Sequence, residues 1–348
     1  MMKRSRFFAL LLASSLLAAC NPSPDSTTSS NETGAIAPTG ETLTVYSGRS
    51  ESFIQPFFDE FEFTTGIEIE VRYGDSAELA AQILEEGTRS PADVFLSQDA
   101  GAIGAVAADD LLQTLRQEST SKVPSKFADP NNLWVGITGR ARVVAYDPEF
   151  ISAQDVPTTI DNLLQPQWRS VIGIAPANSS FQSFVTALRQ IRGDEAALEW
   201  LNGLAANDPQ VFEKNSQLIE AIDAKVIGLA LTNHYYAYEV AESLGRVLEV
   251  ENGFFASGDV GNLLNVSAFG ILNSSKKSEA AYILLDYLLA AETQQKFVSE
   301  TSEYALLPDQ VPPRDMPKLE DLGLPNVTLG DLSDVTRTQE LLVQAGLL

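Results

Sequence analysis

Cysteine is nearly missing: Cys20 is the single one in 348 residues, so no disulfide can form within the chain. Histidine also occurs once, as His234. That removes any His-rich metal site and any ordinary Ser-His-Asp triad with a histidine placed elsewhere. Beyond Leu12 no uncharged apolar run approaches the roughly 20 residues needed to cross a bilayer. Positive charge is scarce as well: 23 Lys and Arg stand against 47 Asp and Glu, a formal net charge of −24. A surface that acidic repels nucleic acid and anionic headgroups, and attracts cations over long range without specifying a site for them.

What is present at the N-terminus accounts for the lone thiol. Lys3, Arg4 and Arg6 precede the apolar stretch Phe7–Leu12, and Leu17-Ala18-Ala19 lead directly into Cys20. A basic start, a short apolar core and small residues before a cut site form a secretory signal. A Cys at that point looks like a bacterial lipobox, so residues 1–19 are expected to be a lipoprotein signal peptide and Cys20 the lipidated first residue of the exported chain. Residues 20–41, rich in Ser, Thr, Pro and Asn, have too little apolar surface to offset ordering entropy and are expected to be a flexible linker. The remainder, Thr42 to Leu348, is long enough for two compact lobes.

From Leu43 onward, strand-like and helix-like segments alternate, which predicts an α/β fold with parallel strands. Leu43–Tyr46 reads as a strand breaking at Ser47-Gly48-Arg49-Ser50, followed by a helix with Phe53, Phe57 and Phe61 on one face and Pro56 kinking it or marking a late first turn. Ile67, Ile69, Val71 and Tyr73 alternate with charged residues, as in a strand with one polar face. Asp75-Ser76 cap the next helix, which Gly87 stops. Further strands are expected at Ala92–Leu96, Arg142–Tyr146, Val171–Ala175, Ile227–Leu231 and Val266–Leu272, and one long helix at Glu279–Val298. Several strands end on small polar residues that open the next helix, and open α/β sheets bind ligands beyond the carboxyl ends of their strands.

Two constellations there carry chemistry. Asn178-Ser179-Ser180, between a strand and an amphipathic helix, offers caps and free N–H groups at the positive end of the helix dipole. That is either a plain N-cap or a site for carbonate, phosphate or a carboxylate. Tyr235-Tyr236 lie just past another strand end. Neighbours on a helix point about 100° apart, yet at a first turn both can reach a cleft mouth. Phenols titrate near 10, so only a strongly Lewis-acidic cation such as Fe³⁺ would ionise two of them at neutral pH. Ca²⁺ and Mg²⁺ are too weak, and Cu(I) or Zn²⁺ would favour the Cys and His that are lacking. A pair of half-buried aromatics remains the other reading.

Leu43–Arg49 (LTVYSGR), Glu85–Ser97 (EEGTRSPADVFLS), Thr138–Asp147 (TGRARVVAYD), Lys214-Asn215-Ser216 and Asn233–Tyr236 (NHYY) resemble, in order and spacing, the periplasmic ferric-ion-binding proteins. The similarity runs over nearly the whole chain after the linker. It implies a type II periplasmic-binding-protein fold, α/β and two-lobed, with mixed central sheets flanked by helices. The lobes are expected at 42–139 plus 266–312 and at 140–265 plus 313–348. The resemblance further implies that Tyr235 and Tyr236 ligate Fe³⁺, and that Asn178, Ser179 and Ser180, helped by Asn215 and Asn233, hold a synergistic anion, with Arg140 offsetting its charge.

Departures are equally specific. Where one branch has a His ligand this chain has Ser50, where it has a Glu ligand this chain has Gln98, and where another branch has a third tyrosine this chain has Phe181. Gln98 and Ser50 stay as secondary metal candidates, and the more neutral set points to iron arriving with a larger anion such as citrate. The expected role is that of a membrane-anchored lipoprotein in the periplasm or at the cell surface, a monomer delivering Fe³⁺ to the permease of an ABC importer. The alternatives are a binding protein for another solute (an oxyanion, thiamine, a polyamine or an iron chelate) and a periplasmic enzyme. Few acid–base groups are available for the enzyme, which is therefore not expected.

Overall fold

The computed structural model describes residues 40–348; the expected signal segment, Cys20 and the linker up to residue 39 lie outside the described residues. The first layer alternates as expected: β1 (Thr42–Ser47), α1 (Glu51–Thr65), β2 (Glu68–Tyr73), α2 (Ser76–Glu86), β3 (Val94–Ser97) and α3 (Ala100–Ala108). Phe57 and Phe61 are buried on the inner face of α1, which continues through Pro56. Asp75 caps α2 by accepting the Ala77 N–H at 2.8 Å. A short helical turn α4 (Gln117–Thr120) then leads to β4 (Val135–Tyr146).

The second layer comprises β5 (Ile172–Ile174), α5 (Ser179–Arg192), α6 (Asp194–Ala206), β6 (Gln210–Val211), α7 (Asn215–Asp223), β7 (Leu229–Asn233), α8 (Tyr236–Leu244) and β8 (Glu251–Gly253). The chain then returns through β9 (Leu264–Ile271), α9 (Ser278–Leu288), α10 (Ala291–Lys296) and β10 (Tyr304–Ala305), and closes with α11 (Val335–Gln344). Strand order is β2-β1-β3-β9-β4-β7-β5-β6, with β10 and β8 also on β4. Pairing is parallel among β1, β2 and β3 and among β5, β6 and β7, but antiparallel wherever β4 or β9 takes part. The parallel reading thus holds for the outer strands of each half, and the sheets are mixed.

β4 differs most from its sequence pattern. Thr138-Gly139-Arg140 was expected to precede a strand starting at Arg142, whereas one 12-residue strand runs through all of them. Its first part, Val135–Ala141, pairs with β9, and its second part, Arg142–Tyr146, pairs with β7. Gly139 allows this continuity: a Cβ there would lie 2.8 Å from Leu264 Cδ2 and 3.0 Å from Leu306 Cδ2. A side chain there would have to displace the ends of both leucines.

The helix expected over Glu279–Val298 is broken. Ala290 takes an extended backbone between α9 and α10, and a π turn over Phe297–Thr301 follows. The fully buried Gln294 compensates. Its amide donates to the freed Leu288 carbonyl and to Ile137 O, both at 2.9 Å, and accepts the Leu306 N–H at 2.9 Å. Apolar spacing continues across the break, so periodicity could not locate it. Among the described residues no helix is long and apolar enough to cross a membrane.

The last segment crosses the molecule. Residues 329–333 press on α3, where a Cβ on Gly104 would meet Gly330 O at 2.8 Å. α11 then docks on α5, with Thr338 and Thr186 hydroxyls 2.7 Å apart and Arg189 paired to Asp334.

His234 is fully buried beside β4. Its Nε2 lies 2.7 Å from Ser302 O, and its Nδ1 accepts the Ala141 N–H at 3.2 Å, which fixes the Nε2–H tautomer of a neutral ring. Burial pulls its pKa down to about 4, against the weaker opposing pull of the Ser302 hydrogen bond. Between pH 6.5 and 4 the unfolded chain therefore takes up a proton that the native ring refuses. Stability is expected to fall across that window by up to about 3 kcal/mol. Because His234 is the only histidine, its imidazole NMR signals report directly: they should stay constant from pH 8 to 5.5, and a midpoint near 6.5 would contradict the neutral, buried assignment. Gln294→Leu, which strands three buried backbone groups, should lower urea-unfolding stability by at least about 3 kcal/mol.

Candidate functional site

The carboxyl ends of β1, β3 and β7 open on one cavity of 470 Å³, whose lining includes Arg49, Ser50, Gln98, Tyr235, Tyr236 and Glu239. A second cavity of 530 Å³, near Phe127, Leu306 and Val311, is mostly apolar and holds none of the predicted site residues. The chemistry therefore belongs to the first.

β7 delivers the tyrosines. Tyr235 occupies the cap position and Tyr236 the first turn of α8, so their side chains escape the 100° divergence of a regular helix. The rings stack with centroids 4.3 Å apart and planes 29° apart. Burial raises the Tyr235 pKa well above 10, Tyr236 adds to that, and Arg140 opposes it. The Tyr235 phenol thus keeps its proton unless a cation displaces it.

Arg140 and Arg142 share a face of β4, because side chains two apart on a strand point the same way. Both are almost fully buried, at 2% and 1% exposure, and neither has a carboxylate partner among the described residues. Arg140 donates to Gln98 O. With the Gln98 amide turned to satisfy both its ends, its oxygen accepts from Arg140 at 3.2 Å and its nitrogen donates to Gly48 O at 3.0 Å. Arg142 reaches Ser180 Oγ at 3.4 Å and Leu231 O at 3.2 Å, over the rings of Phe181 and Phe184. Burial lowers its pKa to about 9, still high enough to leave it cationic at neutral pH. Arg49, by contrast, is paired with buried Glu303 at 2.7 Å, which also accepts from Thr138.

The anion-loop candidates meet only in part. Asn178 caps α5: its Oδ1 accepts from Ser180 N at 3.0 Å, from Ser180 Oγ at 2.6 Å and from Asn215 Nδ2 at 3.0 Å. Asn215 also donates to Ser180 Oγ, and its own Oδ1 is buried without a partner. Ser179 is exposed. Asn233 ends β7 in register with Arg142, with no side-chain hydrogen bond among the described residues. Ser50 sits at the cavity rim as the cap of α1, its Oγ 3.4 Å from Ser52 Oγ. Phe181 is core, packed edge-on against Phe184. The sequence reading chose Arg140 and passed over Arg142, which lies nearer the anion loop; the Arg-x-Arg alternation was the signal that would have found it. Glu303, 67 residues after Tyr236, left no local signal.

Among the described residues no three His, Cys, Asp or Glu side chains converge to hold a metal ion. The cavity itself is lined by the two phenols, Gln98, the paired Arg49 and the carboxylates of Glu239, Glu242 and Glu300. The buried Arg140 lies behind Gln98, and Arg142 beside the α5 N-terminus. The phenol and carboxylate oxygens of the lining favour a strong Lewis acid.

Comparison with known proteins gives this geometry a context. Residues 89–322 match the family of bacterial extracellular solute-binding proteins. The major ferric iron-binding protein of Neisseria meningitidis serogroup A is 32% identical over 316 residues, covering 90% of this chain and 95% of its own. The crystal structure of iron-bound HitA from Pseudomonas aeruginosa is 31% identical with a TM-score of 0.81, covering 88% of this chain and 99% of that one. The Trichodesmium IdiA (FutA) structure in complex with iron and citrate is 25% identical with a TM-score of 0.77, over 88% of this chain and 100% of that one. With the two-lobed periplasmic-binding fold in place, the chain belongs to the bacterial extracellular solute-binding proteins, in the family of the periplasmic ferric-ion-binding proteins.

Proposed function

We propose that this protein binds ferric iron outside the cytoplasm and hands it to the permease of an ABC importer. One observation carries the reading: two stacked phenols face a cavity beside two buried guanidiniums that have no carboxylate partner. Fe³⁺ is the cargo. Tyr235 and Tyr236 would ligate it as phenolates, and a synergistic anion would occupy the space near Asn178, Ser180, Asn215 and Arg142. Ser179 and Asn233 flank that space, and Arg140 faces it from the Gln98 side. Ser50 and Gln98 are secondary donors, and using the Gln98 oxygen would require releasing Arg140. Burying a guanidinium without a counter-charge costs several kcal/mol, so an anion there offsets a penalty already present in the fold.

Two such cations and the α5 N-terminus suit a polyanion better than a monovalent one, which favours citrate over carbonate or phosphate. The complex of the Trichodesmium relative with iron and citrate supports that choice. Lobes closing on the ligand would give a permease two shapes to distinguish. Cys20, acylated, would tether a monomer to the membrane, in the periplasm or at the cell surface.

Purified protein given ferric citrate should develop a visible tyrosinate-to-iron absorption band. Tyr235→Phe combined with Tyr236→Phe should abolish the band and weaken iron retention by more than about 100-fold, beyond the loss typical of outer-shell changes. A colourless wild-type protein that binds citrate alone would overturn the reading. Because both phenols must lose protons, iron affinity should rise with pH, by about two log units per pH unit near neutrality. A competition titration at pH 6 and 7 checks this. Arg142→Met removes charge-assisted hydrogen bonds worth about 1.5–3 kcal/mol. It should weaken ferric-citrate binding about 10- to 100-fold while leaving the band in place.

A further inference from the structure

We propose that Glu239 supplies a carboxylate oxygen to the iron held by Tyr235 and Tyr236, bringing the negative charge that the neutral Gln98 amide lacks. The inference rests on the ferric reading above and names a ligand outside it. Glu239 lies one helical turn beyond the tyrosine pair: its N–H donates to Tyr235 O at 3.0 Å, so it stands directly above Tyr235 on α8. Side chains on a helix lean back toward its N-terminus, which carries the Glu239 carboxylate toward the two phenols. All three residues line the same cavity.

Three further observations single it out. Gln98, across the cavity, has its amide committed to Arg140 and Gly48. No hydrogen bond or salt bridge engages the Glu239 carboxylate among the described residues, whereas the other inward carboxylate, Glu303, is held by Arg49 and Thr138. Glu239 keeps solvent access at the cavity mouth, yet desolvation raises its pKa, with Arg49 pulling it down and Glu303 pushing it up. The place of Glu239 in the lining, beside Tyr235 and Tyr236, puts it at the cavity. Glu242 and Glu300 also line the cavity, but neither is one helical turn from Tyr235 on α8.

Charge balance gives the placement a purpose. Fe³⁺ with two phenolates leaves one positive charge, next to two guanidiniums that have no partner of their own. A carboxylate from α8 neutralises the metal unit, so the exogenous anion has to balance only the arginines. A cleft that excludes water makes that neutrality worth more than it would be in solution.

The test uses the full chain loaded with ferric nitrilotriacetate and competed with citrate. Glu239→Gln replaces an anionic donor with a neutral one, so the iron becomes more electron-poor. The tyrosinate-to-iron band should move to longer wavelength, and iron retention should fall at least tenfold. Glu220→Gln makes the same charge change on the exposed face of α7, outside the cavity lining, and should leave band and retention as in the wild type. An unshifted band with undiminished retention in Glu239→Gln would overturn the proposal. Equal losses in the two variants would also overturn it, because they would mark a general field effect. A wild-type protein with no band at all would instead remove the ferric reading itself.

Discussion

The site depends on a pair of cations placed where water cannot reach them. Arg140 and Arg142 sit on one face of β4 with almost no solvent exposure, and each is served by neutral oxygens: the Gln98 amide for one, a serine hydroxyl and a backbone carbonyl for the other. Dipoles soften the cost of such burial without cancelling it. Arg49, which lines the cavity, is by contrast balanced by the buried Glu303 carboxylate.

That scaffold places its tension at the strand that both sheets share. β4 changes partners between Ala141 and Arg142, from β9 to β7. His234 bonds to Ala141 at that point and reaches Ser302 on the returning chain. Ser302 holds a positive φ of 56°, an uncommon conformation for a residue with a side chain. The tyrosine pair begins at the residue after His234, so the two cavity-lining rings are attached to the point where β4 changes partners.

Much of this was legible in the residues. Strand-to-helix junctions with small polar residues located the cavity, and a tyrosine pair after a strand end sat where such a pair can reach a cleft. Asn178 was read as a cap and is one. What escaped did so for physical reasons. The first part of β4 carries Thr, Gly and Arg in place of alternating apolar residues, because it lies between strands and beneath a ligand cavity. The interruption at Ala290 depends on Gln294 reaching carbonyls that include one more than 150 residues away. Glu303 matters only through Arg49 and Thr138, both distant in sequence. Local pattern records what a segment buries, and it is silent on which remote group completes a hydrogen bond.

The way residues 329–333 lie on α3 before α11 reaches α5 has a consequence for biogenesis. A chain emerging N-terminus first cannot finish its first half until β9 has been delivered to fill the gap between β3 and β4. It cannot cover α3 or α5 until nearly its final residues arrive. Ribosome-bound or half-threaded chains would expose the faces those late segments cover, with long-range pairings still to be made. Such a polypeptide makes its last native contacts only once almost all of it has been released.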